Sequence, residues 1–405
     1  MKLEEQTKKN LLIIGFILVV ISIVVIGIII IKSIFFSIKE GPITFGTKDI
    51  KVFEETTLND LDIHKDIKIV ENKKINTEKI GSQKIKFIYT YKDKKYYGYI
   101  KINIIDNIAP TIFINNSYTL VKGNDKDFLN SIISGDNYDN NPTRKIIGEY
   151  DKNKVGTYRL KYYISDSSGN ETIKDFKVKV IEKKSSHQTT STSKVLFSDV
   201  IKKHKNNNTE IGIDVSKWQG TIDFEKVKAS GCEFVIIRLG HQKGIDGELI
   251  IDPYFKENIK KAKEANLKIG VYLYTYAKSI DDAKKQAKWV IDNIKDYELE
   301  YGVSYDWESW SLYNKLNLSF YNFNKVRDVF LEEIENHNYQ AMLYSSKYYL
   351  ENIWYPTKHQ VWLAHYTSKT NYQGRYEVWQ MTSSGRIDGI NGNVDINIAY
   401  KFKNN

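Results

Sequence analysis

The chain has one cysteine, Cys232, among its 405 residues, so no intramolecular disulfide can form. Cys232 opens an apolar stretch, Gly231-Cys232-Glu233-Phe234-Val235, and is expected to be a buried, inert thiol. The sequence also lacks an HExxH motif and any Cys/His cluster with zinc spacing, so neither metal nor other cofactor is expected. Residues 136–141, Asp-Asn-Tyr-Asp-Asn-Asn, lack the glycine and the terminal glutamate of an EF-hand loop and read as a polar turn. Lysine and arginine outnumber aspartate and glutamate by 60 to 50, a net charge of +10. The basic residues are scattered and no nucleic-acid motif accompanies them, so a solvated basic surface facing an anionic one is expected, not a nucleic-acid partner.

What is present begins with residues 11–31, an apolar run of 21 residues without a charge. A helix of about 20 such residues crosses a hydrocarbon core. The run exceeds the apolar core of a cleavable signal, and Lys32-Ser33-Ile34-Phe35-Phe36 offers no small-x-small cleavage site. An uncleaved signal anchor is therefore expected, with residues 1–10 as a cytoplasmic tail and everything beyond residue 40 outside the membrane.

Residues 80–87 and 155–162 form a repeat, Ile-Gly-Ser-Gln-Lys-Ile-Lys-Phe beside Val-Gly-Thr-Tyr-Arg-Leu-Lys-Tyr. Each alternates apolar and polar residues, as half-buried strands do, and each continues through a turn into another alternating strand. Two all-β sandwiches are expected, residues 40–106 and 107–182. The second, with Asp106-Asn107-Ile108-Ala109-Pro110 and the hairpin Asp166-Ser167-Ser168-Gly169-Asn170, resembles bacterial immunoglobulin-like surface domains. That resemblance implies spacers or weak adhesive modules, with envelope proteins as possible partners. Residues 183–209, rich in Ser, Thr, Lys and Asn, read as a flexible linker with a short helical turn near 196–203.

From residue 210 to 402 short apolar strands alternate with amphipathic helices. Strands are expected at 211–215, 234–239, 269–274, 302–307, 341–345, 361–366, 377–382 and 394–396, and helices at 252–266 and 280–297, with later connections too short for full helices. Eight strands in this order make an α/β, TIM-like barrel, in which ligand groups collect at the carboxyl ends of the strands. Asp306 and Glu308, in Tyr305-Asp306-Trp307-Glu308, project from one face of a strand because side chains alternate with period two. Asp214 on the first strand and Asp395 on the eighth join them, so four carboxylates converge on one mouth. Like charges held together raise some of the pKa values, leaving one acid protonated near neutral pH and able to donate to a leaving oxygen. Trp307 alternates away from the acids and should pack behind them, and His365 reads as a core histidine.

Seven ordered motifs then carry a resemblance to the family 25 glycoside hydrolases, the Chalaropsis-type lysozymes. They are Gly212-Ile213-Asp214-Val215-Ser216-Lys217-Trp218-Gln219-Gly220, Phe234-Val235-Ile236-Ile237-Arg238, Gly270-Val271-Tyr272, Asp306-Trp307-Glu308, Trp362-Leu363-Ala364-His365-Tyr366, Trp379-Gln380 and Val394-Asp395-Ile396-Asn397. The resemblance implies a modified barrel that hydrolyses the β-1,4 bond between N-acetylmuramic acid and N-acetylglucosamine in peptidoglycan. It implies Glu308 as general acid, Asp306 as the group that orients the substrate acetamido, and Asp214 and Asp395 as their tuning partners. Inversion, with Asp214 or Asp306 activating water, is the alternative chemistry. Aromatic rings that stack on sugar faces are expected from Trp218, Tyr272, Tyr274, Tyr344, Trp362, Tyr366 and Trp379, and hydrogen bonds from Gln219, Arg238 and Gln380. The chain departs from the family pattern at Asn266, where glycine is common, and across residues 309–319. The expectation is a membrane-anchored muramidase on the wall side of a bacterial membrane. Its alternatives are a non-hydrolytic peptidoglycan-binding protein and a hydrolase of another N-acetylated glycan.

Overall fold

The computed structural model describes residues 17–27, 38–182 and 194–400, in two compact units, residues 1–107 and 108–405. In the first unit α1 (residues 17–27) carries exposed Ile, Leu and Val side chains along its length. The rest of the expected span, residues 11–16 and 28–31, and the expected tail, residues 1–10, lie outside the described residues. Among the described residues no helix is long and apolar enough to cross a membrane.

Strands β1 (Thr47–Lys51), β2 (Lys68–Ile69), β3 (Gly81–Tyr91) and β4 (Lys94–Ile105) form one four-stranded sheet in the order β1-β4-β3-β2. This corrects the expected two-sheet sandwich. The stretch between β1 and β3 is mostly polar and lacks sustained alternation, so it contributes buried Val52, Leu58 and Ile75 almost entirely from coil.

The second unit begins with β5 (Thr111–Phe113), β6 (Ser117–Val121), α2 (Phe128–Ser131), β7 (Ile133–Gly135), β8 (Thr143–Ile147), β9 (Gly156–Ser165) and β10 (Glu171–Ile181). A four-stranded sheet β6-β10-β9-β8 faces a two-stranded sheet β5-β7. Its order repeats that of the first unit, with the leading strand parallel to the last one in each case. Alternation buries Leu160, Tyr162 and Ile164 of β9 with Phe176, Val178 and Val180 of β10. The hairpin between them is a side-chain turn: Asp166 Oδ1 accepts the N–H groups of Ser168 and Asn170 at 2.9 and 2.8 Å. Residues 136–141 form the expected polar turn, in which Asp136 Oδ2 accepts the N–H groups of Tyr138 and Asp139, each at 2.7 Å.

The barrel comprises β11 (Val195–Leu196), α3 (Phe197–His204), β12 (Thr209–Val215), α4 (Phe224–Ala229), β13 (Phe234–Gln242), β14 (Leu249–Ile251), α5 (Phe255–Glu264) and β15 (Lys268–Tyr274). It continues through α6 (Ile280–Ile294), β16 (Val303–Asp306), α7 (Phe320–Asn336), β17 (Ala341–Ser346), α8 (Lys347–Asn352), β18 (Gln360–Ala364), β19 (Val378–Arg386) and β20 (Val394–Tyr400). Strands β12, β13 and β15 to β20 close on themselves, all neighbours parallel except that β20 runs antiparallel to both β19 and β12. Phe234, Ile236, Met342, Tyr344 and Trp362 belong to one apolar cluster inside the barrel, and a larger cluster lies between strands and helices. Cys232 is buried in that larger cluster, and burial pushes its thiol up to about 12. Asn266 follows α5 with φ 56°, the left-handed conformation that asparagine tolerates where glycine would otherwise stand.

Two expectations are corrected here. The connection from β16 to β17 is not short: α7 has 17 residues, and Phe320, Phe323, Phe330 and Ile334 place its buried stripe at helical spacing. Nor does the segment 183–209 simply free the barrel. Val195 and Leu196 pair with Gly385 and Arg386 of β19, and Phe197 and Val200 of α3 are buried in the barrel's outer core, because the run has the amphipathic period of a helix. Residues 183–193 lie outside the described residues. The second β domain also packs on the barrel: Phe113 meets Phe320 and Tyr348 edge-on at 6.0 and 6.2 Å.

Candidate active site

Strand direction assembles the acids. Asp214 stands near the carboxyl end of β12, Asp306 ends β16, and Glu308 follows two residues later on the same face. Because β20 is antiparallel, its amino-terminal end reaches the same mouth, and Asp395 is the direct cross-strand partner of Asp214. The four acids line a cavity of about 310 Å³ together with Trp218, Gln219, Arg238, Tyr272, Tyr274, Tyr344, Trp362, Tyr366 and Gln380. A larger hollow of about 750 Å³, between Asp223, Lys226, Lys261 and Glu264, holds charges of both signs and none of these acids.

Trp379 does not reach the mouth. Alternation along β19 turns Gln380 inward and Trp379 outward, where it is buried, donates from Nε1 to the His365 carbonyl at 2.8 Å and meets the His204 ring at 5.7 Å. Trp307 is likewise fully buried behind the acids, edge-on to Trp310 and Phe323 at 4.9 Å each. His365 is half-buried with Nδ1 2.9 Å from Thr370 Oγ1. Trp218 and Tyr366 are exposed at the rim, 77% and 57%, as rings that receive a ligand must be. Gln219 is held in place from both ends: Oε1 accepts the Ser216 N–H at 2.9 Å, and Nε2 donates to the Asn393 carbonyl at 3.2 Å.

Hydrogen bonds order the floor. Asp214 Oδ1 accepts from Gln380 Nε2 at 2.9 Å and from Asn397 Nδ2 at 2.7 Å. Gln380 Oε1 accepts from the Tyr344 and Tyr366 hydroxyls at 2.9 and 3.0 Å, and Asn397 Oδ1 from Trp362 Nε1 at 2.8 Å. Asn397, quoted in a motif above but given no role there, belongs to this network. It lies two residues after Asp395 on one strand, so the alternation argument used for Asp306 and Glu308 finds it. Asp252 was also missed. It takes the Arg238 guanidinium through Nε at 2.7 Å and Nη2 at 2.6 Å, and no local pattern links the two residues.

Arg238 is therefore engaged by Asp252, and the acids face one another. Burial, then the charges of Glu308 and Asp214, holds Asp306 well above the usual carboxylate range; its Oδ1 has no hydrogen-bond partner among the described residues. Burial and the charges of Asp214 and Glu308 push Asp395 up to about 8. Burial pushes Asp214 to about 6 against its two amide donors. Glu308 is raised by desolvation under the rim and by Asp214, but it stands open to solvent, which moderates the effect. Such a mouth can protonate a leaving oxygen while holding a second carboxyl against the reacting carbon's neighbours.

Residues 213–390 match the sequence pattern of the glycosyl hydrolases family 25. Over these residues the barrel is similar to that family. Its match covers less than half of the chain and includes neither β domain. Over 188 residues the chain is 30% identical to the autolytic lysozyme of Clostridium acetobutylicum, covering 46% of this chain and 54% of that protein. It is 28% identical over 192 residues to the uncharacterized protein YegX of Escherichia coli K12, covering 46% of this chain and 68% of that protein. Among solved structures, the modular autolysin LytC of Streptococcus pneumoniae in complex with a synthetic peptidoglycan ligand is 27% identical, with a TM-score of 0.43 over 59% of this chain and 56% of that one. All of the acids but Asp395, and both partners of the Arg238–Asp252 pair, fall inside the family 25 match.

Proposed function

We propose that the chain is a muramidase that cleaves the β-1,4 bond between N-acetylmuramic acid and N-acetylglucosamine in peptidoglycan. The observation that carries this reading is the set of four acids in one aromatic-lined mouth with the nearby guanidinium engaged elsewhere. The likeness of the barrel to a protein named autolytic lysozyme supports the choice of substrate.

In this reading the glycan lies across the mouth against Trp218 and Tyr366, whose exposed rings offer flat apolar faces. Glu308, whose pKa is raised by desolvation and by Asp214, donates its proton to the glycosidic oxygen as the bond to the anomeric carbon breaks. The substrate's own acetamido oxygen forms a bond to that carbon, and Asp306, whose Oδ1 has no partner among the described residues, accepts the acetamido N–H and orients it. Water then opens this intermediate and returns a proton to Glu308. Asp214, fixed by Gln380 and Asn397, adds its charge to the burial that raises both working acids.

The proposal extends to placement. The apolar run of residues 11–31 anchors the chain in a bacterial membrane, with the barrel on the wall side and the β domains available to envelope proteins. Wall remodelling close to the membrane is the task this arrangement suits. The test is mass spectrometry of purified peptidoglycan digested by the full chain, wild type beside Glu308→Gln. Muropeptides with reducing N-acetylmuramic acid ends, present with wild type and missing with the variant, are the expected result. Sacculi that bind the wild type and release nothing overturn it.

A further inference from the structure

The acid that this reading relies on is carried by a segment that leaves the barrel for the second β domain. Glu308 lies beyond β16, on no strand, and its carbonyl accepts the Trp310 N–H at 2.8 Å at the start of the 3₁₀ turn Trp310–Lys315. One end of that turn is clamped by the barrel, where Trp310 stacks on Tyr349 at 3.7 Å with the rings 16° apart. The other end is clamped outside the barrel. Asn314 is buried, and its Nδ2 donates to the carbonyls of Ile132 at 2.7 Å and Leu129 at 3.1 Å. Its Oδ1 accepts the Ser134 N–H at 3.0 Å. Both donors and the acceptor of this amide thus meet main chain of the second β domain.

The same domain completes the start of α7. A helix leaves its first N–H groups without internal partners. Here Phe320 donates to the Asp136 carbonyl at 2.8 Å, and Ser319 N–H and Asn322 Nδ2 both donate to Asn140 Oδ1 at 2.8 Å. The contact is close enough that Gly135 has no room for a side chain: a Cβ there would lie 2.9 Å from Phe320 Cζ and 3.1 Å from Tyr313 Cε1.

We propose that the second β domain is a positioning element of the active site, and that Asn314 is the positioning residue through which it fixes the turn bearing Glu308. The proposal rests on the hydrolase reading. A 3₁₀ turn of six residues has poor hydrogen-bond geometry of its own and holds its place only through such anchors. Loosening the Asn314 end lets the turn swing, and a displacement of about 1 Å in a reacting group costs on the order of 10²-fold in rate.

Steady-state hydrolysis of peptidoglycan by the full chain in detergent decides it, comparing wild type with Asn314→Ala and with Gly135→Leu, which forces the domains apart without altering a barrel residue. Both variants are expected to lose about 10²-fold in kcat with KM changed by less than about threefold. Their alkaline limb should move to lower pH, because a Glu308 released toward water gives up its proton more readily. Unchanged kcat in Gly135→Leu overturns the proposal, as does a loss that tracks the folded fraction by near-UV circular dichroism with an unmoved pH profile. If Asn314→Ala does not fold, Gly135→Leu decides alone. A wild type that releases no product removes the hydrolase reading first, and the positioning role with it.

Discussion

The two ends of the barrel treat carboxylates in opposite ways. At the amino ends of the strands Glu210 is buried but accepts from Lys268 Nζ at 2.6 Å and the Tyr301 hydroxyl at 2.7 Å. Glu233 accepts from Lys205 Nζ through both oxygens, at 2.5 and 2.7 Å, and Glu377 takes Arg375 Nε at 2.5 Å and the Val361 N–H at 2.8 Å. At the carboxyl ends Asp214 meets only neutral amide donors among its hydrogen-bond partners, and one oxygen of Asp306 has none among the described residues. A buried carboxylate with a cation is cement; one without is held near its own neutral form and is poised to exchange a proton. The fold supplies both from the same residue types, and the difference lies in whether lysine or arginine stands within reach.

Mutation sharpens this contrast. Glu308→Gln should lower the rate of muropeptide release by about 10²–10⁴-fold while leaving the melting temperature unchanged, since the side chain is exposed. Asp252→Asn frees Arg238 to face the acids, which should draw Asp306 down and shift the pH–rate profile of kcat toward lower pH.

Stability should also depend on pH in the direction the mouth dictates. Asp395 binds its proton more tightly folded than unfolded, so the folded state holds the extra proton between about pH 4 and its raised pKa near 8. That contribution is complete at low pH and disappears as pH rises through about 8. Calorimetry should therefore show Asp395→Asn melting above wild type at pH 8.5 and losing that advantage at pH 5. At the opposite end Glu210→Gln should cost about 1–2 kcal/mol in chemical denaturation, by weakening the bonds from Lys268 and Tyr301, with activity per folded molecule unchanged. An activity loss there as large as at Glu308 would break the comparison.

Much of this was legible in the chain. Period-two alternation located Asp306 and Glu308 on one face and Trp307 behind them, and short apolar runs located the eight barrel strands. The same alternation, applied to Trp379 and Gln380, separates the core ring from the mouth amide; a motif that contains both obscured it. Contacts between residues far apart in sequence were not legible. Asp252 under Arg238 and Asn314 in the second β domain each depend on how loops return, which no local period encodes. The helical turn expected near 196–203 is α3, but the Ser- and Thr-rich character of residues 183–209 masked its docking, in which Phe197 and Val200 are buried together.

The antiparallel β20 carries one more consequence, in time. Asp214 lies on the first strand of the closed barrel and Asp395 on the last, joined by cross-strand pairing. Contacts between such distant segments form late, after the intervening loops have closed. A chain emerging from synthesis has its acids, its aromatic rings and most of its strands well before it has a working mouth. On the proposed reading, the glycan-cutting mouth is complete only when its last strand docks.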